Sequence, residues 1–248
     1  MVNFHFGFWD PLLVVVVTVQ ATILAYLHHP KWKALMLSLP FPFTVAVLAV
    51  GQPLDATNVL GLVLLAIFTY GVRLLHQNLR MPIIPSIVVA ALGYGLIGWL
   101  VAGVVPRSDI AFWLACAGTL ALAVILLKIT SHREERGHRS SLPVWIKLPI
   151  IMAVVILLLL IKQGLRGFTT VFPMVGVVAA YEARHSLWTM SRQIPIITLA
   201  KVPMMIVCRL AQNHFSLPAA LALSWIAFLV GLLLISLSAR FTASRQME

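Results

Sequence analysis

A lysine stands near the middle of the apolar run IPIITLAKVPMMIVCRL, residues 194–210. Insertion scales put a central lysine at about 2.5–3.5 kcal/mol against the bilayer. Lys201 is therefore expected to turn its ammonium toward the protein interior or a wet cavity. Pro203, two residues on, has no N–H and frees a carbonyl near the same depth. A deep cation beside freed carbonyls can bind a small solute or tune a proton or ion site. The plainer alternative is a structural lysine that snorkels from a tilted helix. Bond-making chemistry is not indicated, because no nucleophile and base stand together. P-loop, dinucleotide glycine, G-x-S-x-G and HExxH patterns are all missing from the sequence. The expectation is a protein that is not an enzyme and carries no cofactor.

Three prolines, Pro40, Pro42 and Pro173, fall inside other apolar runs. Each removes a helical hydrogen bond, and interrupted helices at matching places in two halves point to a transporter site. A packing kink is the competing account. Glu182, followed by Arg184 and His185, ends a further run; it can pair with Arg184 or Lys201 or relay a proton, or simply be a solvated helix end. Arg73 and Arg209 each close a helix, where a cation suits the last carbonyls, and as a pair they could form an anion gate. Asp10, before Pro11, reads as an N-cap. His132, Glu134, Glu135 and His138 in HREERGH lack the i, i+4 spacing of a helical metal pair, so that segment reads as a solvated loop.

The elements that must hold these residues follow from composition. Of 248 residues, 61% are hydrophobic and 10% charged, far from the roughly 25% charged of a soluble globule. The fold class expected is an all-α polytopic membrane protein. Nine apolar runs are long enough to be helices in a core about 30 Å thick: 9–27, 34–51, 58–75, 83–105, 110–129, 143–161, 167–182, 194–210 and 217–239. Runs such as VVVVTV do not alternate as barrel strands do. No Lys or Arg precedes the first run, so it is expected to stay in the mature protein. Cys116 and Cys208 lie within apolar runs and read as packing residues.

The net charge of +11 comes mainly from the ends of these runs, which suits lipid headgroups and the orientation rule and argues against a nucleic-acid partner. Lys31, Lys33, Arg73, Arg80, Lys128, Arg133, Arg136 and Arg139 mark cytoplasmic loops. The N-terminus is then outside and the C-terminus inside, with Lys162 and Arg166 as outward exceptions.

A phrase recurs: RLLHQNLRMP at residues 73–82 and RLAQNHFSLP at 209–218. The same offset places Ala91 on Ala227, Gly95 on Gly231 and Leu96 on Leu232; upstream, Pro42 matches Pro173 and Pro11 matches Pro149. Two four-helix repeats are expected, 1–108 and 143–248, joined by a helix and basic loop at 109–142. The joining helix, fifth in chain order, inverts the second copy, an arrangement common in secondary transporters.

The second half, from about Trp145 to Ser236, has an opening apolar helix, Phe172-Pro173 before a run ending Ala180-Tyr181, and a Pro-led last helix. It resembles the GlpM family of small bacterial inner-membrane proteins. That resemblance implies an association with alginate production and offers no catalytic residues. The chain departs from it by a second copy and a joining helix.

The leading expectation is a small inner-membrane transporter or exporter of an anionic or amphiphilic small molecule, with proton or ion coupling and homo-oligomerisation left open. The alternative is a noncatalytic subunit or assembly factor in envelope polysaccharide or lipid biogenesis.

Overall fold

A computed structural model of the chain describes residues 9–130, 135, 143–161 and 165–244. Ten α-helices make up the fold: α1 (Trp9–Tyr26), α2 (Pro30–Ser38), α3 (Phe41–Val50), α4 (Ala56–Arg73), α5 (Ile83–Val104), α6 (Asp109–Ile129), α7 (Val144–Ile161), α8 (Met174–Glu182), α9 (Leu187–Ala211) and α10 (Leu217–Ser244). A π-helical turn, Leu74–Asn78, prolongs α4, and a 3₁₀ segment, Arg166–Val171, precedes α8. The class is all-α, with no strand among the described residues. His132, Glu134 and His138 lie outside them.

All nine apolar runs contain helix, but they are not all alike. Seven stretches are long and apolar enough to cross a membrane by length and composition, with α2 and α3 together forming one of them, Trp32–Val50. The run 167–182 is divided. Its six 3₁₀ residues rise about 12 Å and the nine of α8 about 13 Å, so the two pieces plus the Phe172-Pro173 link approach the length of a full span. At its two ends, Arg166 pairs with Asp55 before α4 and Glu182 pairs with Lys147 at the start of α7.

Proline chemistry sets both interruptions. Pro40 is the N-cap of α3 and Pro42 stands in its first turn; Pro173 is the N-cap of α8. A proline tolerated at a helix start cannot donate into the preceding turn, so α2 ends at Ser38 and the 3₁₀ segment at Val171. These residues begin new helices and do not merely kink old ones. α9 differs: Pro195 and Pro203 lie inside a helix that stays continuous over 25 residues and starts earlier than the apolar run suggests.

α4 packs on α5, α6 and the 3₁₀ segment, whereas α9 packs on α10, α6 and α2. α4 and α9 also touch each other, as do α1 and α7. The buried core follows these contacts. One cluster joins Leu13, Val17, Phe68, Tyr94, Phe168 and Phe172, and a second joins Val59, Leu62, Phe112, Met204, Met205 and Phe228. Among the helices on the perimeter, α5 and α6 turn Leu96, Trp99, Ile110 and Leu114 outward, as a lipid-facing surface would.

Candidate functional site

Lys201 lies 14 residues after Leu187 and 10 before Ala211, roughly 21 Å and 15 Å along the helix axis. It is only 8% exposed and lines a cavity of about 50 Å³. It therefore faces the interior instead of snorkelling. The walls come from both interrupted helices: Leu37 and Leu39 where α2 ends, Pro42 and Phe43 where α3 begins, Thr170 to Pro173 at the second break, and Val175 and Gly176 in the first turn of α8. Gln20, Leu65, Thr69, Met190, Ile194 and Ile197 complete it. No Asp or Glu is among these walls. Lys201 makes no hydrogen bond or ion pair with any described residue.

The polar groups around it are mostly committed elsewhere. Gln20 Nε2 donates to Met36 O at 2.6 Å, the carbonyl that Pro40 would have served with an N–H, and to Leu39 O at 3.4 Å. Its Oε1 is buried without a partner. Thr69 donates back to Leu65 O, and Thr170 donates to Gly167 O while accepting from Asn58 Nδ2. The helix starts are different. The first bond of α8 runs from Val177 N–H to Pro173 O, and that of α3 from Thr44 N–H to Pro40 O. Of the earlier positions, Met174 N–H donates to Phe172 O at 2.7 Å and Pro42 has no N–H; the N–H groups of Phe41, Phe43, Val175 and Gly176 have no acceptor within the helix and lie at its positive dipole end.

Each end of the structure is closed by charge. At one end Glu182, buried at the C-terminus of α8, pairs with Lys147 at 2.9 Å; the side chains are 3% and 5% exposed. Lys147 also lies 4.8 Å above the Tyr26 ring, and Lys33 Nζ donates to Glu182 O at 3.1 Å. Two cations suit the negative end of α8 and offset the carboxylate placed there. Nearby Arg73 stacks on Trp188 at 4.1 Å. Glu135 accepts from the Trp188 and Thr189 N–H groups at 3.3 and 2.6 Å, supplying the cap that the Ser186 side chain does not.

At the opposite end Arg166 pairs with Asp55 at 2.9 Å and donates to Ala102 O and Val105 O. Asp55 caps α4 by accepting from Thr57 N–H at 2.8 Å, while Asn58 Oδ1 accepts from Asp55 N–H. Gly167 closes the joint: its N–H donates to Thr57 Oγ1, and an added Cβ would come within 2.7 Å of Asn58 N. Arg166 adopts φ 50, an uncommon value for a non-glycine residue, held by these three partners. Arg209 pairs with Asp109 at 2.7 Å and donates to Leu54 O at 2.6 Å, and Gln212 accepts from Leu54 N–H.

The structure thus brings Lys201, Pro42 and Pro173 to one cavity, with Pro40 forming the cap beside it. Pro203 remains in α9 and does not line it. Arg73, Arg209 and Glu182 belong to the two ends. Glu182 is neither solvated nor paired with Arg184 or Lys201, because Lys147 on α7 reaches it first; Arg184 donates instead to Tyr181 O. Arg209 does bind a carbonyl, but one preceding α4. Glu135 caps a helix and is not simply solvated. Gln20, Lys33, Asp55, Lys147 and Arg166 are the functional candidates that sequence reasoning missed. A polar Gln within the first run and a Lys four residues into the sixth were the available signals. No protein-family model matches the chain, and no curated protein or solved structure is significantly similar to it.

Proposed function

We propose that the chain is a small secondary transporter of a bacterial inner membrane, working by alternating access, and that the arrangement described is its occluded form. The observation that carries the reading is the central cavity: a lysine without a partner among the described residues, placed where two interrupted helices meet, with a buried or part-buried ion pair toward each end. Transporter sites lie near the midplane, at the interface of inverted repeats and beside broken helices.

The repeats of the sequence account for the cavity walls. Aligned at the offsets found in the sequence, Lys201 corresponds to Leu65, Pro173 to Pro42 and Thr170 to Leu39, and all six residues line the cavity. Contacts correspond too: α4 with α5 and α9 with α10, the 3₁₀ segment on α4 and α2 on α9, and α6 against both central helices. Even the closures correspond, since Arg166 at the start of one interrupted element meets Asp55 before α4, and Lys33 at the start of the other meets Glu182 before α9. A two-fold relation between inverted halves makes one closure the outer gate and the other the inner. The Glu182 end is taken as cytoplasmic, because Lys33, Arg73, Arg80 and Lys128 gather there. Arg166 stays an outward exception to the charge rule on this reading, held there by its pair with Asp55.

The test uses proteoliposomes on a solid-supported membrane, with rapid exchange of small ions and metabolites. A transporter gives saturable charge movement or flux for some solute, and Lys201→Met abolishes it. Absence of any saturable response across the screen would overturn the proposal. The cavity's small size favours a second reading, a noncatalytic membrane subunit with a structural lysine, in keeping with the envelope polysaccharide role that the GlpM resemblance implies. That reading expects no flux and unaltered assembly in Lys201→Met.

A further inference from the structure

The geometry points to a binding site for a small monovalent anion at the centre of the molecule, formed by Lys201 and the first turns of α3 and α8. The inference deepens the transporter reading and rests on it for the role of the anion as cargo; binding itself is tested separately.

Three observations converge. Lys201 is more than nine-tenths buried, lines the cavity and has no partner among the described residues. Buried charges are paired, because an isolated ion in an apolar interior is costly. The described walls hold no carboxylate, so a bound ligand is the available source of a counter-charge. Next, two independent helices of ten and nine residues begin at the cavity. Pro42 has no N–H and Met174 N–H is taken by Phe172 O, but the N–H groups of Phe43, Val175 and Gly176 have no intrahelical acceptor, and aligned dipoles favour negative charge there. Phe43 of α3 and Val175 and Gly176 of α8 line the space. Gly176 packs closely at this start of α8: a Cβ there would meet Pro173 Cβ at 3.1 Å and Phe68 at 3.4 Å.

Size narrows the ligand class. A volume of about 50 Å³ is far below the roughly 300–1,000 Å³ of sites for drug-sized molecules. At about 10–15 Å³ of such space per water, it holds roughly three to five water-sized groups. That excludes amphiphiles and sugars from the closed state and admits chloride, nitrate, formate or bicarbonate. Gln20 Oε1 adds one unpartnered acceptor, able to take a hydrogen bond from bicarbonate or from a water that accompanies the anion.

The experiment is thermal unfolding of the purified full chain in detergent, titrated with the sodium salts of those four anions against sodium gluconate at equal ionic strength. At least one small anion should raise the melting temperature saturably, with gluconate, too large for the cavity, giving no such rise. Lys201→Met should fold and lose the response. Should that variant not fold, Leu39→Phe, which narrows the cavity from the break between α2 and α3 and leaves the lysine in place, should also lose it. Equal response to gluconate, no response in wild type, or an unchanged response in the folded variants overturns the inference. The two readings fail separately: saturable transport of a cation or large solute without anion stabilisation sinks the anion site alone, whereas Lys201-dependent anion stabilisation without any flux sinks the transporter alone.

Discussion

The two closures use the same charges in opposite ways. At the Glu182 end the ion pair is almost fully buried, and its carboxylate receives one lysine while its backbone carbonyl receives another. At the Asp55 end the pair is about one-fifth exposed, but it is embedded in a helix cap, two further carbonyl acceptors and a glycine contact. A buried pair gains little net stability yet leaves a costly orphan charge when one partner is lost. A part-exposed pair is screened, so its joint depends more on the hydrogen bonds and packing around it. The first closure is thus a charge latch, and the second a packed joint in which charge is one of several ties.

The largest difference should come from cutting the latch. Glu182→Gln is expected to destabilise the protein by about 3–5 kcal/mol in detergent unfolding, because Lys147 is left buried. The double change Lys147→Met with Glu182→Leu should restore most of that loss. Equal losses in the single and double variants would show that shape, not charge, holds this end.

Cutting the joint by packing comes next. Gly167→Ala drives a methyl against the Asn58 backbone and should cost about 1–3 kcal/mol. Asp55→Ala removes the cap of α4 and the Arg166 partner, for a loss of about 1–2 kcal/mol dominated by the cap. If Asp55→Ala proves as damaging as Glu182→Gln, the distinction between the two ends fails. The smallest effect is expected at Glu135→Gln, which keeps an acceptor near Trp188 and Thr189 but removes the charge at the start of α9. About 0.3–1 kcal/mol should be lost, shrinking with added salt.

Much of this arrangement was legible in the chain itself. Apolar run length gave the all-helical class and the seven stretches long and apolar enough to cross a membrane, and the lone deep lysine and two of the prolines, Pro42 and Pro173, pointed to residues that share a cavity. Two things were not legible. A proline inside an apolar run does not say whether the helix bends or restarts; Pro203 is carried within α9, whereas Pro40 and Pro173 begin new helices. The partners of Glu182 and Arg166 were also hidden, because they stand on other elements 35 and 111 residues away, and charge alone does not choose among distant partners. Local residues such as Arg184 looked nearer in sequence but point to backbone carbonyls.

The central claim is that the two ends open in alternation about the Lys201 cavity. Single cysteines at Ala102 and Ala183, both buried at opposite ends, report it in a chain with Cys116 and Cys208 replaced by alanine. Labelling rates with a small thiol reagent are compared with and without Glu182→Gln. The account predicts that loosening the Glu182 end speeds labelling at position 183 and slows it at 102, since a shift toward one state depletes the other. Asp55→Asn should do the reverse. Faster labelling only at the altered end, with the far end unchanged in both variants, would contradict alternating access and describe two independent closures on a rigid body.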